Sequence, residues 1–153
     1  MKKVVVLAML CSLLVAPVHA QSTNLTTKQT DVMKKLLATY AEKAKEEGAK
    51  KKLKGINQAF TVETGREFYL KRRTWQLTDY TCSGCHTEDP KRDGKHIDTG
   101  KAIKPLAPSA NPERFTDAEK VEKNFSQHCM DLHERDCLAY EKGQFITYLM
   151  SVK

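Results

Sequence analysis

Two cysteines and a histidine stand close together as Cys82, Cys85 and His86, in a CxxCH pattern. Two thiols at this spacing can add to the two vinyl groups of one haem, and the next residue can then turn its imidazole to the iron. The same cysteine spacing occurs in thioredoxin-like redox pairs and in half of a zinc site. A redox pair needs a strand-and-helix arrangement and zinc needs a second ligand cluster, and the sequence indicates neither. The motif therefore predicts one covalently bound haem c with His86 as an axial iron ligand.

A second axial ligand decides between electron transfer and gas binding, because one histidine leaves one iron position open. The candidate side chains are His96, His128, Met130, His133 and Met150. His128 follows Val121 by seven residues and Phe125 by three, which places it on the apolar face of a predicted helix. We therefore predict His86 and His128 as the metal ligands, and we keep His133 as the strongest rival.

Two further cysteines lie after the predicted ligand His128: Cys129 directly follows it, and Cys137 is eight residues further on. In one continuous helix, residues eight apart lie about 12 Å apart, whereas a disulfide holds α carbons at about 5.5 Å. A bridge would therefore require the chain to bend between the two cysteines. Two unpaired thiols, or Cys129 as an iron ligand, are the alternatives that the spacing leaves open.

Helices are predicted to position these residues, and no strand is expected. Thr26 and Gln29 have the spacing of a capping box, and so do Thr116 and Glu119. The helical pattern covers residues 26–48, with Gly48 as the stop, then residues 62–73, a helix that opens at Thr116, and residues 140–152. The inward face of the third helix is expected to hold Val121, Phe125 and His128. Glycines and prolines predict an irregular loop from Pro90 to Pro112.

The first twenty residues have the charged, apolar and cleavage parts of a secretory signal, ending at Ala20. The apolar run is shorter than the roughly 20 residues of a membrane span, so no integral membrane segment is expected after cleavage. We predict a signal peptide at 1–20, a helical lead-in and linker at 21–60, and a cytochrome c domain at 61–153. The protein is then periplasmic. Its mild positive charge suggests an acidic protein partner or a membrane surface and is no evidence for nucleic acid.

Short stretches after Thr64 carry a pattern that is more specific than the haem motif. They are residues 65–66, 82–86, 99–101, 105–110, 114–117, 121–123, 135–137 and 141–142. These stretches resemble the oxygen-binding sphaeroides haem protein family of monohaem c-type cytochromes. The resemblance implies an all-α, class I cytochrome c-like fold around one haem, and a disulfide between Cys129 and Cys137. It also implies binding of oxygen and nitric oxide in the reduced state, and electron supply by a di-haem cytochrome.

Small class I cytochromes c also look similar in outline, with a helix before the motif and a closing helix after a proline-bearing loop. This resemblance implies that Gly65 and Tyr69 pack against the last helix near Tyr148. It also suggests that the Pro105 carbonyl accepts a hydrogen bond from His86. Both assignments could instead describe ordinary core and turn residues.

The sequence departs from the sphaeroides haem protein family at one functional position. The family places a releasable asparagine ligand immediately before the first disulfide cysteine, and this chain has His128 there. Asn124 lies one helical turn earlier and would serve only in a different helix register. Imidazole binds iron more firmly than an amide, so we favour an electron carrier with two histidine ligands. The alternative is a gas-reactive oxidoreductase acting on oxygen or nitric oxide, and no catalytic acid or base is assigned.

Overall fold

The computed structural model describes residues 25–51, 59–75 and 78–153. Its helices are α1 (Thr27–Lys51), α2 (Val62–Leu70), α3 (Cys82–His86), α4 (Ala118–His133) and α5 (Ala139–Ser151). Its strands are β1 (Arg73–Trp75), β2 (Thr78–Tyr80), β3 (Gly94–Lys95) and β4 (Ala102–Ile103). This architecture confirms the predicted all-α class. The predicted signal peptide lies outside the described residues.

Two short antiparallel strand pairs correct the prediction that the chain has no strand. In the first pair β1 lies beside β2, with Arg73 opposite Tyr80. In the second pair β3 lies beside β4, with Gly94 opposite Ile103. Strands of two or three residues are too short to show alternating hydrophobicity, so the sequence pattern could not reveal them.

Helix α1 begins with the predicted capping box. The Thr26 amide donates to Gln29 Oε1 at 2.9 Å, and the Gln29 amide donates to Thr26 Oγ1 at 3.1 Å. Gly48 was expected to end this helix, and that prediction is wrong, because α1 continues to Lys51. Gly48 is buried, so the packing of α1 on the core outweighs the cost of about 1 kcal/mol for a glycine inside a helix.

Helices α2 and α5 cross at a close contact. A Cβ atom built on Gly65 would lie 2.7 Å from Tyr148 Cβ, so only glycine allows this approach. The ring centroids of Tyr69 and Tyr148 are 5.4 Å apart. The predicted packing of Gly65 and Tyr69 against the last helix is therefore confirmed. Helix α2 ends at Leu70 and not at the predicted residue 73, because Arg73 is the first residue of strand β1.

One hydrophobic core joins α1, α2, α4 and α5. Tyr40 of α1 packs edge-on against Phe125 of α4, with ring centroids 6.3 Å apart. Phe125 in turn meets Phe145 of α5 at 5.5 Å. Glu47 of α1 accepts a hydrogen bond from the Ala139 amide at 2.9 Å and so caps the first turn of α5. Within the described part of the chain, no helix combines the length and the apolar character of a membrane span.

Candidate functional site

The cysteine motif forms the short helix α3. Thr81 is its N-cap, and Thr81 Oγ1 accepts a hydrogen bond from the Gly84 amide at 2.7 Å. Neither Cys82 nor Cys85 takes part in a disulfide, and both are half-buried. The helix therefore presents two thiols and the His86 imidazole within a span of five residues.

Two contacts fix the backbone around His86. A Cβ atom on Gly94 would lie 3.1 Å from His86 Cα, so strand β3 packs directly on α3. The Tyr69 hydroxyl donates a hydrogen bond to the Thr87 carbonyl at 2.5 Å and also lies 3.2 Å from the His86 carbonyl. Thr87 has φ 63° and ψ 163°, a conformation that is costly for any residue with a side chain. Tyr69 thus holds a strained peptide next to the histidine.

The Pro105 carbonyl does not accept a hydrogen bond from His86, which corrects that suggestion. Asn111 Nδ2 and Arg114 Nε each donate to the Pro105 oxygen at 3.1 Å. His86 Nδ1 is buried and has no hydrogen-bond partner among the described residues. Burial lowers the pKa of His86 to about 4, with smaller contributions from Arg114 and His128. A neutral imidazole is the form that binds a metal.

The rings of His86 and His128 are close neighbours in the fold. Their ring centroids are 6.4 Å apart and their planes meet at 79°. A metal–imidazole bond of about 2 Å on each side, with a ring radius of about 1 Å, gives about 6 Å between centroids. Together with the orphaned His86 Nδ1 and the two thiols, this spacing fits a haem that is attached at α3 and held between two histidines.

His128 lies in the last two turns of α4. The N-cap of α4 is Asp117 and not the expected Thr116, since Asp117 accepts from the Lys120 amide at 3.1 Å. The inward position after Val121 and Phe125 is taken by Cys129, whereas His128 is exposed beside it. The expectation that His128 is a buried residue of the core face is therefore wrong. Residues 121, 125 and 129 recur every four residues, so Cys129 completes the buried face and His128 lies beside it.

Protein atoms still surround the His128 imidazole closely enough to affect its charge. Desolvation by these atoms is the largest influence and lowers the pKa of His128. Asp131 raises this pKa, while the positive charge of Arg114 and the neighbouring His96 lower it. Like His86, His128 is therefore biased towards the neutral form that a metal site needs.

The chain bends at Glu134, between Cys129 and Cys137, as a bridge between the two cysteines requires. Cys129 and Cys137 are joined by a disulfide, with α carbons 5.5 Å apart. Helix α4 ends at Glu134, which has the left-handed φ of 55°. Arg135 donates two hydrogen bonds to Glu141, each at 2.8 Å. The segment after His128 is therefore closed by a covalent bond and an ion pair.

The other candidate ligands lie in different surroundings. The His133 ring stacks on Phe68 of α2 at 5.7 Å with an angle of 12°. His96 is exposed in the turn between β3 and β4, and its Nδ1 accepts from the Asp98 amide at 3.2 Å. Met130 is 50% exposed, and Met150 packs against the core. Of the described candidate histidines, His128 is the one whose ring centroid lies 6.4 Å from that of His86.

The sequence analysis missed the long-range hydrogen bonds of two polar residues, Gln29 and Arg114. Gln29 Nε2 donates to the carbonyls of Pro108, Asn111 and Arg114, each at 3.0 Å. The capping box identified Gln29 as a local cap, but no sequence signal shows contacts 79 to 85 residues away. Arg114 donates to two loop carbonyls, and only its place in the matching stretch 114–117 had marked it.

Comparison with known sequences identifies relatives of this chain. A family described as a domain of unknown function, DUF1924, matches residues 55–149. Cytochrome c'' from Methylophilus methylotrophus is 42% identical over 95 residues, which cover 61% of this chain and 66% of that protein, slightly less than two-thirds of its length. The cytochrome c-type protein SHP from Cereibacter sphaeroides is 42% identical over 89 residues, which cover 58% of this chain and 68% of that protein.

The same two proteins are found when the fold is compared with solved structures. Oxidised cytochrome c'' from Methylophilus methylotrophus superposes with a TM-score of 0.69 at 35% identity, over 80% of this chain and 96% of that one. Oxidised SHP, described as an oxygen-binding cytochrome c, gives a TM-score of 0.63 at 34% identity, over 76% of this chain and 94% of that one. A solution structure of cytochrome c'', whose description refers to haem-ligand detachment, gives 0.65 at 36% identity, over 80% of this chain and 94% of that one.

Proposed function

Because the chain belongs to the DUF1924 family and to the sphaeroides haem protein group of c-type cytochromes, which carry covalently bound haem c, we propose that it is a monohaem electron carrier whose iron is held by His86 and His128. The one CxxCH motif, at Cys82 and Cys85, supports a single haem. When bound, haem c supplies a one-electron redox couple. The observation that carries this proposal is the distance of 6.4 Å between the ring centroids of His86 and His128.

The residues around α3 hold the proximal side in place. Cys82 and Cys85 attach the cofactor, and Gly94 and Tyr69 fix the backbone that carries His86. Two imidazole ligands that stay bound in both oxidation states keep the coordination unchanged, and this limits reorganisation during electron transfer. This consequence favours electron transfer as the main activity.

A second function, binding of oxygen or nitric oxide, is favoured by two relatives: SHP is described as an oxygen-binding cytochrome c, and a structure of cytochrome c'' as bearing on haem-ligand detachment. His128 lies five residues before α4 ends at His133, and the chain then turns at Glu134. A diatomic gas can bind only after His128 has left the iron. The apparent affinity for the gas is therefore its intrinsic affinity multiplied by the fraction of molecules in which His128 is detached.

We also propose that the protein works in the periplasm with another haem protein. The leader sequence that ends at Ala20 supports export and cleavage. The chain has a net charge of +7, which includes Lys2 and Lys3 of the leader. The remaining positive charge favours an acidic redox partner, and the family resemblance suggests a di-haem c-type cytochrome.

Absorption and electron paramagnetic resonance spectra test the ligand assignment. They are recorded for the oxidised and reduced protein, with and without carbon monoxide or nitric oxide, on the wild type and on His128→Ala. We expect low-spin spectra for the oxidised wild type and high-spin spectra for His128→Ala. If neither gas changes the spectra of the reduced wild type, the result supports the electron carrier. If the gases bind and change the spectra, the result supports the second function.

His133→Ala is the matched control, because it removes the same side chain from the same helix. Its spectra should match those of the wild type, since the His133 ring stacks on Phe68. If His133→Ala becomes high-spin while His128→Ala stays low-spin, the ligand assignment is wrong.

A further inference from the structure

No described protein group fixes the His86 ring through a hydrogen bond to its second nitrogen. His86 Nδ1 is buried and has no partner among the described residues. The Pro105 carbonyl is occupied by Asn111 and Arg114, which donate to it at 3.1 Å each. At other metal sites a histidine ligand donates its second ring N–H to a carbonyl, a carboxylate or a water, and that bond orients the ring. The orientation of the His86 ring therefore depends on the backbone that carries it.

The backbone of His86 has two close contacts with other elements. A Cβ atom on Gly94 would lie 2.0 Å from the Cys85 carbonyl oxygen and 3.1 Å from His86 Cα, so strand β3 packs directly on this backbone. The second contact comes from α2, where the Tyr69 hydroxyl donates to the Thr87 carbonyl at 2.5 Å and lies 3.2 Å from the His86 carbonyl. One hydroxyl group thus restrains two successive carbonyls, beginning with that of His86.

The peptide that Tyr69 holds needs this support. Thr87 has φ 63° and ψ 163°, a combination that is adopted almost only by glycine. A β-branched side chain makes a positive φ still more costly, and such a conformation persists only where the surroundings determine it. The Thr87 side chain supplies one bond, from its Oγ1 to the Asp89 carbonyl at 2.6 Å. Loss of the Tyr69 bond therefore allows the peptide next to His86 to relax.

The Tyr69 ring is itself held in a defined place. It is fully buried, and its centroid lies 5.4 Å from that of Tyr148 and 6.2 Å from that of Phe145, both in α5. One turn earlier in α2, Gly65 allows the two helices to cross closely. The position of the Tyr69 hydroxyl is therefore set by the contact between α2 and α5.

We propose that Tyr69 is a positioning residue that orients the His86 imidazole on the iron, in the role that a hydrogen bond to the second ring nitrogen has at other metal sites. It acts through the carbonyls of His86 and Thr87 and not through the imidazole itself. This inference rests on the proposed binding of the iron by His86.

Resonance Raman spectra of the reduced, haem-loaded protein test this role in the His128→Ala background. His86 is the remaining histidine ligand there, so the iron–histidine stretching band of five-coordinate ferrous haem reports on His86. Tyr69→Phe removes only the hydroxyl, and this band should shift. Tyr148→Phe is the matched control, because it removes a hydroxyl from the neighbouring ring, and it should leave the band in place.

Proton resonances of the haem methyl groups give a second readout, in the oxidised protein that retains His128. Their pattern depends on the directions of the axial imidazole planes, so Tyr69→Phe should change it and Tyr148→Phe should not. A merely structural role would lower the free energy of unfolding and leave both spectra unchanged. If Tyr69→Phe changes either spectrum no more than Tyr148→Phe does, the inference is overturned. The proposed function is judged separately, by the spin states of the wild type and of His128→Ala, so its failure is distinguishable.

Discussion

Substitution of Gln29 by glutamate isolates the bonds between α1 and the loop before α4. Glutamate keeps the side-chain shape and the oxygen that accepts from the Thr26 amide. It removes the amide N–H groups that donate to the carbonyls of Pro108, Asn111 and Arg114 at 3.0 Å. The substitution therefore tests the long-range bonds while the capping box stays intact.

The expected loss can be worked from these contacts. A side-chain amide has two N–H donors, so at most two strong bonds act at once, and each contributes about 1 kcal/mol net. Gln29 is 0% exposed, so the carbonyls lose their donor with little access to water. Each buried acceptor left without a partner costs a further 1 kcal/mol or so. Two bonds lost and two carbonyls left unpaired, those of Pro108 and Arg114, give an expected decrease in the free energy of unfolding of about 4 kcal/mol at pH 7 for Gln29→Glu.

Urea unfolding followed by far-ultraviolet circular dichroism measures this loss. Thr26→Val is the matched control, because it removes only the hydroxyl that accepts from the Gln29 amide, at a cost of about 1 kcal/mol. Burial among carbonyls raises the folded-state pKa of the new carboxyl above its unfolded value of about 4.3. The free energy of unfolding of the variant should therefore fall as pH rises from the unfolded-state pKa of this carboxyl to its higher folded-state pKa. A loss at pH 7 no larger than that of Thr26→Val would refute the reasoning.

Two further substitutions have matched tests. Tyr69→Phe removes the hydrogen bond to the Thr87 carbonyl and should lower the free energy of unfolding by about 1.5 kcal/mol in the same urea assay. Tyr148→Phe is the control, because the Tyr148 hydroxyl bonds to no described residue, and it should cost less than about 0.5 kcal/mol. Burial raises the pKa of Glu141, but the bonds from Arg135 and the Leu138 amide lower it more, so its folded-state pKa lies below the usual value. Glu141→Gln should therefore cost about 1 kcal/mol at pH 7, and its difference from the wild type should vanish as pH falls through the folded-state pKa; a constant difference would contradict this.

Local patterns predicted the parts of the fold that depend on neighbours in the sequence. The Thr26 and Gln29 capping box follows from a three-residue spacing, and the helical periodicity of α1 follows from one apolar face. The contact of Gly65 with Tyr148 came from the resemblance to class I cytochromes, in which two helices cross at that place. These features survive in the structure because short-range bonds and packing favour the same arrangement.

The features that were missed or wrong depend on residues far apart in the sequence. The Pro105 carbonyl is taken by Asn111 and Arg114, and only the folded loop brings these donors to it. The helical period placed His128 on the core face, whereas the buried position there is taken by Cys129, which is bonded to Cys137. A helical wheel contains no information on a covalent bond at its end. The ligand role of His128 itself stays a prediction.

Helix α1 connects the two segments that flank α4, the helix that carries His128. Gln29, near its start, bonds to the loop that carries Arg114, and Glu47, near its end, bonds to the Ala139 amide two residues after Cys137. These two side chains are separated by about 27 Å along a straight helix, at about 1.5 Å per residue. A single rigid element thus links the loop that orients Arg114 to the end of the disulfide segment that follows His128. Because backbone groups at both places take their partners from α1, this helix restrains the positions of Arg114 and of the segment beside His128 together.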